Sequence, residues 1–405
     1  MASVNKSINT FSLNLYKELS SSNNEKSVFC SPISVASVLS MLSLGARGDT
    51  ERQIKKVLEF GEFTEARVKP PNQCENPAQG IQQTQRVQKQ TAPPRPEVGE
   101  EHRQFQNILY KLTSLQSETE LKIANGMFAQ DKFPLLQQYV KSVQLLYQAK
   151  LESLDFQKDE SRQEINKWVE HQTKDKIKDL FPPNSIDRNA ALVLVSAIYF
   201  KGQWETPFDV ENTKESPFYV NKDVVVSVPM MNQTAKFNVG ILEDLGAKIL
   251  DLPYGGGELS MFILLTDERF GLEKIEHQIT AESLALWTKR ENMVNTRHDV
   301  YLPRFKLEES YNLGPNLVKM GMVDAFSQQK ADLSGISKVG LNVSKVFHKA
   351  FIDVNEEGTE AAAGTGAIVI PKMLPPTFKV DHPFYFCIKH NETNTILFNG
   401  KLMSP

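Results

Sequence analysis

The sequence predicts a single α+β domain, and three of its features point there. Helix-period segments crowd the first half, apolar strand-like segments crowd the second, and no linker divides the chain into separate folding units. At 405 residues and 40% hydrophobic content, the chain has material for one large core.

In chain order, the first element is an amphipathic segment. Phe11, Leu13, Leu15 and Tyr16 predict a surface helix with one buried side, and the stretch lacks the charged start and unbroken apolar block of a secretion signal. Residues 31–46, "SPISVASVLSMLSLGA", open on Ser-Pro and stay largely apolar, so they predict a central, buried helix. Residues 64–104 are rich in Pro and Gln and nearly free of large apolar side chains. They predict a disordered insertion within the domain, with the helical pattern resuming at "FQNILYKL". Three readings of it compete. One is a tolerated surface loop; another is an interaction or cross-linking loop presenting Gln82, Gln83, Gln85, Gln88 and Gln90. The third, a nucleic-acid contact through Arg86, Lys89 and Arg95, is weakened by sparse charge and the lack of interleaved aromatics.

Further on, Ser161-x-x-Glu164 reads as a capping box. It would open a helix carrying Ile165, Trp168, Val169, Ile177 and Leu180 and ending at Pro182-Pro183. Residues 190–200 and 259–265 read as strands buried on both faces, with "YGGGEL" as the hairpin turn before the second. "KVFHKAFIDV" alternates as a strand, placing Val346, His348, Ala350, Ile352 and Val354 on one face and Asp353 on the other.

Charge and chemistry exclude much. A net charge of −3 gives no general attraction for nucleic acid or anionic lipid, and no apolar run is long enough to cross a bilayer. Cys30, Cys74 and Cys387 are odd in number and widely spaced, which favours free thiols in a reducing compartment. The sequons at Asn5, Asn232, Asn342 and Asn391 read as chance. No P-loop, H-E-x-x-H or nucleophile elbow is present, and the seven histidines lack metal-ligand spacing. Ser31, His348 and Asp353 fail as a triad, because strand alternation separates the last two. Neither an enzyme nor a cofactor-bearing or metal-bearing protein is expected.

One segment needs a separate account. On residues 359–370, period 2 gives one face of Thr359, Ala361, Ala363, Thr365, Ala367 and Val369, with no charge and no bulk before the β-branched end. Gly364, Gly366 and the β-branched run weaken the helix that alanine alone would favour. Two readings stay open: a flexible Ala/Gly loop, or a strand in waiting whose side chains are small enough to enter a sheet.

These residues also carry a resemblance. "VNEEGTEAAAGTG" resembles the hinge of the reactive loop in serpins, and residues 381–402, "DHPFYFCIKHNETNTILFNGKL", resemble their C-terminal signature. "FCSPISVASVLSMLSLGARGDT", "VSAIYFKGQWETPF", "LPRFKLEESYNL" and "MGMVDAFSQQKADLSGIS" fall in the family's order, so the likeness covers the whole chain. The paucity of cysteine and the insertion after "VLEFGEF" are similar to the ovalbumin-like, clade B branch, with its extended loop between helices C and D. The resemblance implies one domain with three β-sheets, about nine helices and an exposed reactive-centre loop at residues 356–378.

It also implies a mechanism. A protease takes the loop as substrate and is acylated, and the loop then inserts into the largest sheet and drags the enzyme with it. Residues 359–372 would span roughly 45 Å as an inserted strand. The implied hinge comprises Glu356, Glu357, Gly358, Thr359, Glu360, Ala361, Ala362, Ala363, Gly364 and Thr365. The family's scissile position, the seventeenth counted from Glu356, is Lys372, so the reactive bond is Lys372–Met373 and the partner a trypsin-like serine protease. Met373–Leu374 is a second candidate bond for a chymotrypsin-like enzyme. Ser31, Ser34 and His348 match the shutter where the sheet parts, Ser196 replaces its usual asparagine, and Trp204 matches the tryptophan beneath the sheet's top. The implied protein is a monomer of the cytoplasm, with the nucleus and non-classical secretion as alternatives. Two other functions remain: a non-inhibitory relative acting through partner or chromatin binding by residues 64–104, and a cross-class inhibitor of papain-like cysteine proteases.

Overall fold

The computed structural model describes residues 4–60, 98–114, 119–357 and 374–405. Helix α1 (Val4–Ser21) buries Ile8, Phe11, Leu15 and Leu19 against the body of the domain. Strand β1 (Val28–Cys30) leads into α2 (Pro32–Gly45), which has Ser31 at its N-cap and proline in its first turn, where a missing N–H costs nothing. Leu44 is the one α2 residue that is not buried, so this helix lies inside the molecule as its unbroken apolar sequence requires. Helix α3 (Gly48–Val57) follows, and α4 (Glu100–Thr113) begins after the undescribed stretch.

A five-stranded sheet forms the centre, in the order β10 (Phe305–Asn312), β11 (Val343–Val354), β4 (Leu192–Gly202), β2 (Thr119–Gln130) and β3 (Lys150–Leu154). Helix α2 packs against β2 and β4 on one face. On the other face, α6 (Asp159–Gln172) and the chain after it bring Ile165, Val169, Ile177 and Phe181 onto Phe128, Val195 and Phe351. Helix α5 (Gln137–Tyr147) joins β2 to β3.

The remaining strands form a nine-stranded ladder held together by one long strand, β6 (Val225–Leu242). Its start pairs with β5 (Lys214–Tyr219), its end with β7 (Ala247–Pro253), and its middle with β9 (Val294–Pro303). The ladder thus has two sections. One holds β5, β9 and β12 (Thr377–Lys379); the other continues from β7 through β8 (Leu259–Thr266), β13 (Phe384–His390) and β14 (Thr395–Leu402) to β1. With the central sheet these two sections account for the three β-sheets expected, although β6 hydrogen-bonds two of them into one continuous ladder. The "YGGGEL" turn joins β7 to β8, and Gly256 and Gly257 both take positive φ there. Helices α7 (Leu272–Gln278), α8 (Ala281–Trp287) and α9 (Gly314–Lys319) bring the described α-helices to nine.

Two expectations need correction. The insertion does not reach residue 104, because α4 starts at Glu100. Glu101 and His102 are buried, and Glu101 accepts from Lys55 Nζ at 3.0 Å. Those polar residues disguised a buried helix turn as more insertion. Residues 64–97 lie outside the described residues. Secondly, Ser161 is not an N-cap. Helix α6 begins at Asp159, two residues earlier, and the Ser161 hydroxyl donates back to Asp155 O at 2.7 Å. The helix also stops at Gln172, where Lys174 and Asp175 turn to positive φ. Ile177 and Leu180 are buried without being helical. Their apolar spacing reflects a segment lying on the sheet, which period alone cannot separate from helix.

Cys30 and Cys387 both lie opposite Asn399, on the strands either side of it. Two strand spacings, roughly 9.5 Å, separate them, too far for a disulfide. Burial pushes the Cys387 thiol up to about 12 and raises that of Cys30 further. Alkylation of the native protein is therefore expected to spare both, and to reach both once the chain is denatured; native labelling at either, read by peptide mass, would contradict this burial. The four sequon asparagines are half-buried. Their side-chain amides donate to Thr393 O, Asp299 Oδ1, Val343 O and Gly257 O, respectively.

Candidate functional site

Strands β4 and β11 run parallel and pair directly from Leu192–Val343 to Phe200–Ile352. Their outer neighbours, β2 and β10, are antiparallel to them. A chain leaving β11 at Glu357 could enter the sheet between β4 and β11 only after reversing direction. A strand so formed would run antiparallel to both β4 and β11, replacing one parallel ladder by two antiparallel ones. From Leu192 to Phe200, β4 is buried on both faces. Any entering strand would be buried likewise, and an unpaired charge on it would be costly.

The junction is held by a directional polar chain. The Ser34 hydroxyl, on α2, donates to Asn125 Oδ1 of β2 at 2.8 Å, and the Ser196 hydroxyl, on β4, donates to Ser34 Oγ at 2.8 Å. His348, on β11, is register partner to Ser196. Its Nε2 accepts from the Ser31 main-chain N–H at 2.9 Å, so the ring proton sits on Nδ1. That nitrogen lies 3.0 Å from both Ser196 O and Ser196 Oγ. The Ser31 hydroxyl donates elsewhere, to Leu397 O, which confirms that no triad forms. Substituting serine for asparagine at 196 leaves the chain closed, because Asn125 supplies the amide acceptor from the neighbouring strand.

Burial pushes His348 down to about 4, the bond to Ser196 O opposing only in part. The unfolded chain takes up this proton near the ordinary histidine value of about 6.5, while the native chain resists until about 4. Stability is therefore full above the higher value and is lost as pH falls between the two, by about 3 kcal/mol. Protonated Nε2 would also face the Ser31 N–H. Urea unfolding of the wild type and His348→Gln at both ends of that window tests this, the variant losing most of the pH slope; equal slopes would remove His348 as the cause.

A second cluster anchors the exit from β11. The register Phe305–Val354 brings Arg304 beside Glu356. Arg304 Nε and Nη2 donate to the two Glu356 oxygens at 2.9 and 2.5 Å, and the Thr213 hydroxyl donates to Oε1 at 2.5 Å. Burial works most strongly against ionising Glu356, but Arg304 and Thr213 outweigh it and hold the carboxyl below its usual range. Trp204 stacks on Tyr254 with centroids 4.5 Å apart, donates Nε1–H to Asn355 O at 2.9 Å, and gives its main-chain N–H to Glu357 O at 3.2 Å.

The structure thus joins Ser31, Ser34, Ser196 and His348 in one network, and Trp204, Glu356 and Glu357 in another. Gly358, Thr359, Glu360, Ala361, Ala362, Ala363, Gly364, Thr365, Lys372 and Met373 lie outside the described residues. Past them, Leu374 is 93% exposed, and β12 pairs in parallel with β9. Asn125, Thr213 and Arg304 were missed. Arg304 sits inside a motif already noted, but only strand register shows where its guanidinium goes.

A fold with a closed parallel pair, a polar fastening across it and a small-residue segment leaving its end defines a class of protein, and the comparisons agree on which. A family model described as Serpin (serine protease inhibitor) matches residues 6–405, and the chain belongs to the serpin family. Human "Serpin B4" is 45% identical, with all of both chains covered. The mouse "Leukocyte elastase inhibitor A" is 42% identical over 98% of this chain and 97% of its own. The crystal structure of uncleaved ovalbumin superposes with a TM-score of 0.84 at 35% identity, covering all of both chains. These relatives put the chain on the ovalbumin-like, clade B side of the family. No helix among the described residues is long and apolar enough to cross a membrane.

Proposed function

We propose that this serpin is a suicide substrate for trypsin-like serine proteases, with Lys372–Met373 as its reactive bond. The observation that carries this reading is the directly paired β4–β11 slot, with the uncharged run 361–370 lying just beyond Glu357 in sequence. The protease serine attacks the Lys372 carbonyl, the Met373 amine leaves, and Lys372 remains esterified to the enzyme. The freed N-terminal part of the loop then enters between β4 and β11, gaining two antiparallel ladders for one parallel ladder. Each net hydrogen bond gained contributes on the order of 1 kcal/mol. The tethered enzyme is carried along the sheet, and its active site is pulled out of register before water can cleave the ester.

Mixing the protein with trypsin and resolving the products on a denaturing gel tests this directly. A gel-stable complex and a released peptide beginning at Met373 are expected. Cleavage without a complex, and without a rise in melting temperature, would leave the loop a mere substrate. The same assay with a papain-like enzyme tests the cross-class alternative.

A further inference from the structure

The two faces of the β4–β11 seam differ at the end where the chain leaves at Glu357. On one face Ile198, Phe200, Ile352 and Val354 belong to the main core. On the other, Tyr199 and Phe351 pack with Ile165 and Val169 of α6, and a cavity of about 400 Å³ opens beside them. These two aromatics are register partners, with ring centroids 5.6 Å apart. Two residues further along each strand, on the same face, stand Lys201 and Asp353, and Lys306 of β10 is the register partner of Asp353. Lys176 and Lys178, on the segment after α6, complete the lining with Asp175 and Glu308. Four lysines thus face three carboxylates. Glu308 is already paired with Lys349 at 2.8 Å, and Lys178 with Glu170 at 3.3 Å. Neither Lys176 nor Lys306 has an ion-pair partner among the described residues. The cavity has a cation to spare.

We propose that this cavity receives the carboxylate of Glu360 once the reactive bond is cut, an inference that rests on the reading of the chain as a loop-inserting inhibitor. Glu360 lies outside the described residues, three positions beyond Glu357. Period 2 sets it on the face opposite Thr359, Ala361 and Ala363. The cost of placing a charge in the main core decides which face of the entering strand turns inward, so Glu360 turns toward α6. A four-residue turn over 355–358, a common hairpin length, sets Thr359 opposite Val354 and Glu360 opposite Asp353. Glu360 then lies between Asp353 and Lys201, with Lys306 one strand beyond. The entering strand moves Asp353 away from Lys201 by one strand spacing, roughly 4.8 Å. Glu360 fills the place beside the lysine, and the lining reaches four charges of each sign. The charge carried by the hinge is therefore matched on the sheet that accepts it.

Trypsin is mixed with the full-length wild type and with Glu360→Ala, Glu360→Lys and Lys306→Glu. The ratio of trapped to merely cleaved chain is read on a denaturing gel. Glu360→Ala is expected to lower that ratio about threefold and Glu360→Lys about tenfold, with urea unfolding of the intact proteins unchanged. Combining Glu360→Lys with Lys306→Glu should recover at least half of the loss, which a purely steric role of residue 360 would not allow. If the Glu360 variants trap like the wild type, or the exchange recovers less, this proposal fails and the inhibitory reading stands. If the wild type forms no complex, both fall. Inorganic phosphate that raises the urea midpoint of the intact wild type, but not of Lys306→Glu, would assign the cavity to a free anion and also overturn the proposal.

Discussion

Replacing Thr359 by arginine is expected to convert the protein from a trap into an ordinary substrate for trypsin. Thr359 belongs to the uncharged face of the segment that, in the mechanism proposed above, enters between β4 and β11, and β4 is buried on both faces from Leu192 to Phe200. A guanidinium carried between buried strands would lose its water shell. Its burial opposes insertion by several kcal/mol, roughly. Even 3 kcal/mol slows insertion about 100-fold, enough for deacylation to overtake it. On the denaturing gel the covalent band should vanish while cleavage at Lys372–Met373 continues at an unchanged rate. Thr359→Ala, which keeps the face small, should retain the complex. A persistent complex in the arginine variant would mean that loop insertion at this slot is not what traps the enzyme.

Breaking the Arg304–Glu356 pair should produce the largest loss of stability outside the core. Glu356 is 2% exposed and Arg304 43%, so the pair is fully desolvated on one side only. Loss of one partner of a buried pair costs about 3–5 kcal/mol, and the access of Arg304 to water lowers the expected cost of Glu356→Gln to about 2 kcal/mol. Glu356→Lys should cost more, since it sets two cations together beside the Thr213 hydroxyl. The Arg304→Glu, Glu356→Arg double exchange should recover part of the loss, and a double-mutant cycle in urea measures how much. No recovery would show that the pair acts through packing and not charge. Because the Glu356 carboxyl is held below its usual range, this contribution is present above the ordinary carboxylate value and disappears as pH falls through the depressed one. Freed of this anchor, the chain leaving β11 would also lose its fixed exit, so the variants should show faster hydrogen exchange at Trp204 and Phe208, whose N–H groups bond Glu357 O and Glu356 O.

Much of the architecture was legible in the chain. The interior helix α2 could be read because nearly every residue is apolar or a small serine and Ser-Pro opens it, and β4, β8 and β11 because their runs alternate or are rich in β-branched and aromatic residues. The reading failed where polar residues are buried. Glu101 and His102 looked like insertion, since nothing local announces that Lys55 of α3 will meet Glu101. It failed again at α6, where a well-formed capping-box pattern lost to a helix start two residues earlier.

The sequence by itself determined the family, the small uncharged face of residues 359–370 and the single lysine near its end. These are properties of neighbouring side chains, and composition with period 2 expresses them. Only the tertiary structure decided how the slot is fastened. Asn125, Ser34, Ser196 and His348 come from three strands and a helix, and Arg304 and Glu356 stand 52 residues apart. A hydrogen bond depends on distances of about 3 Å, and strand register across a folded sheet, not adjacency along the chain, sets those distances.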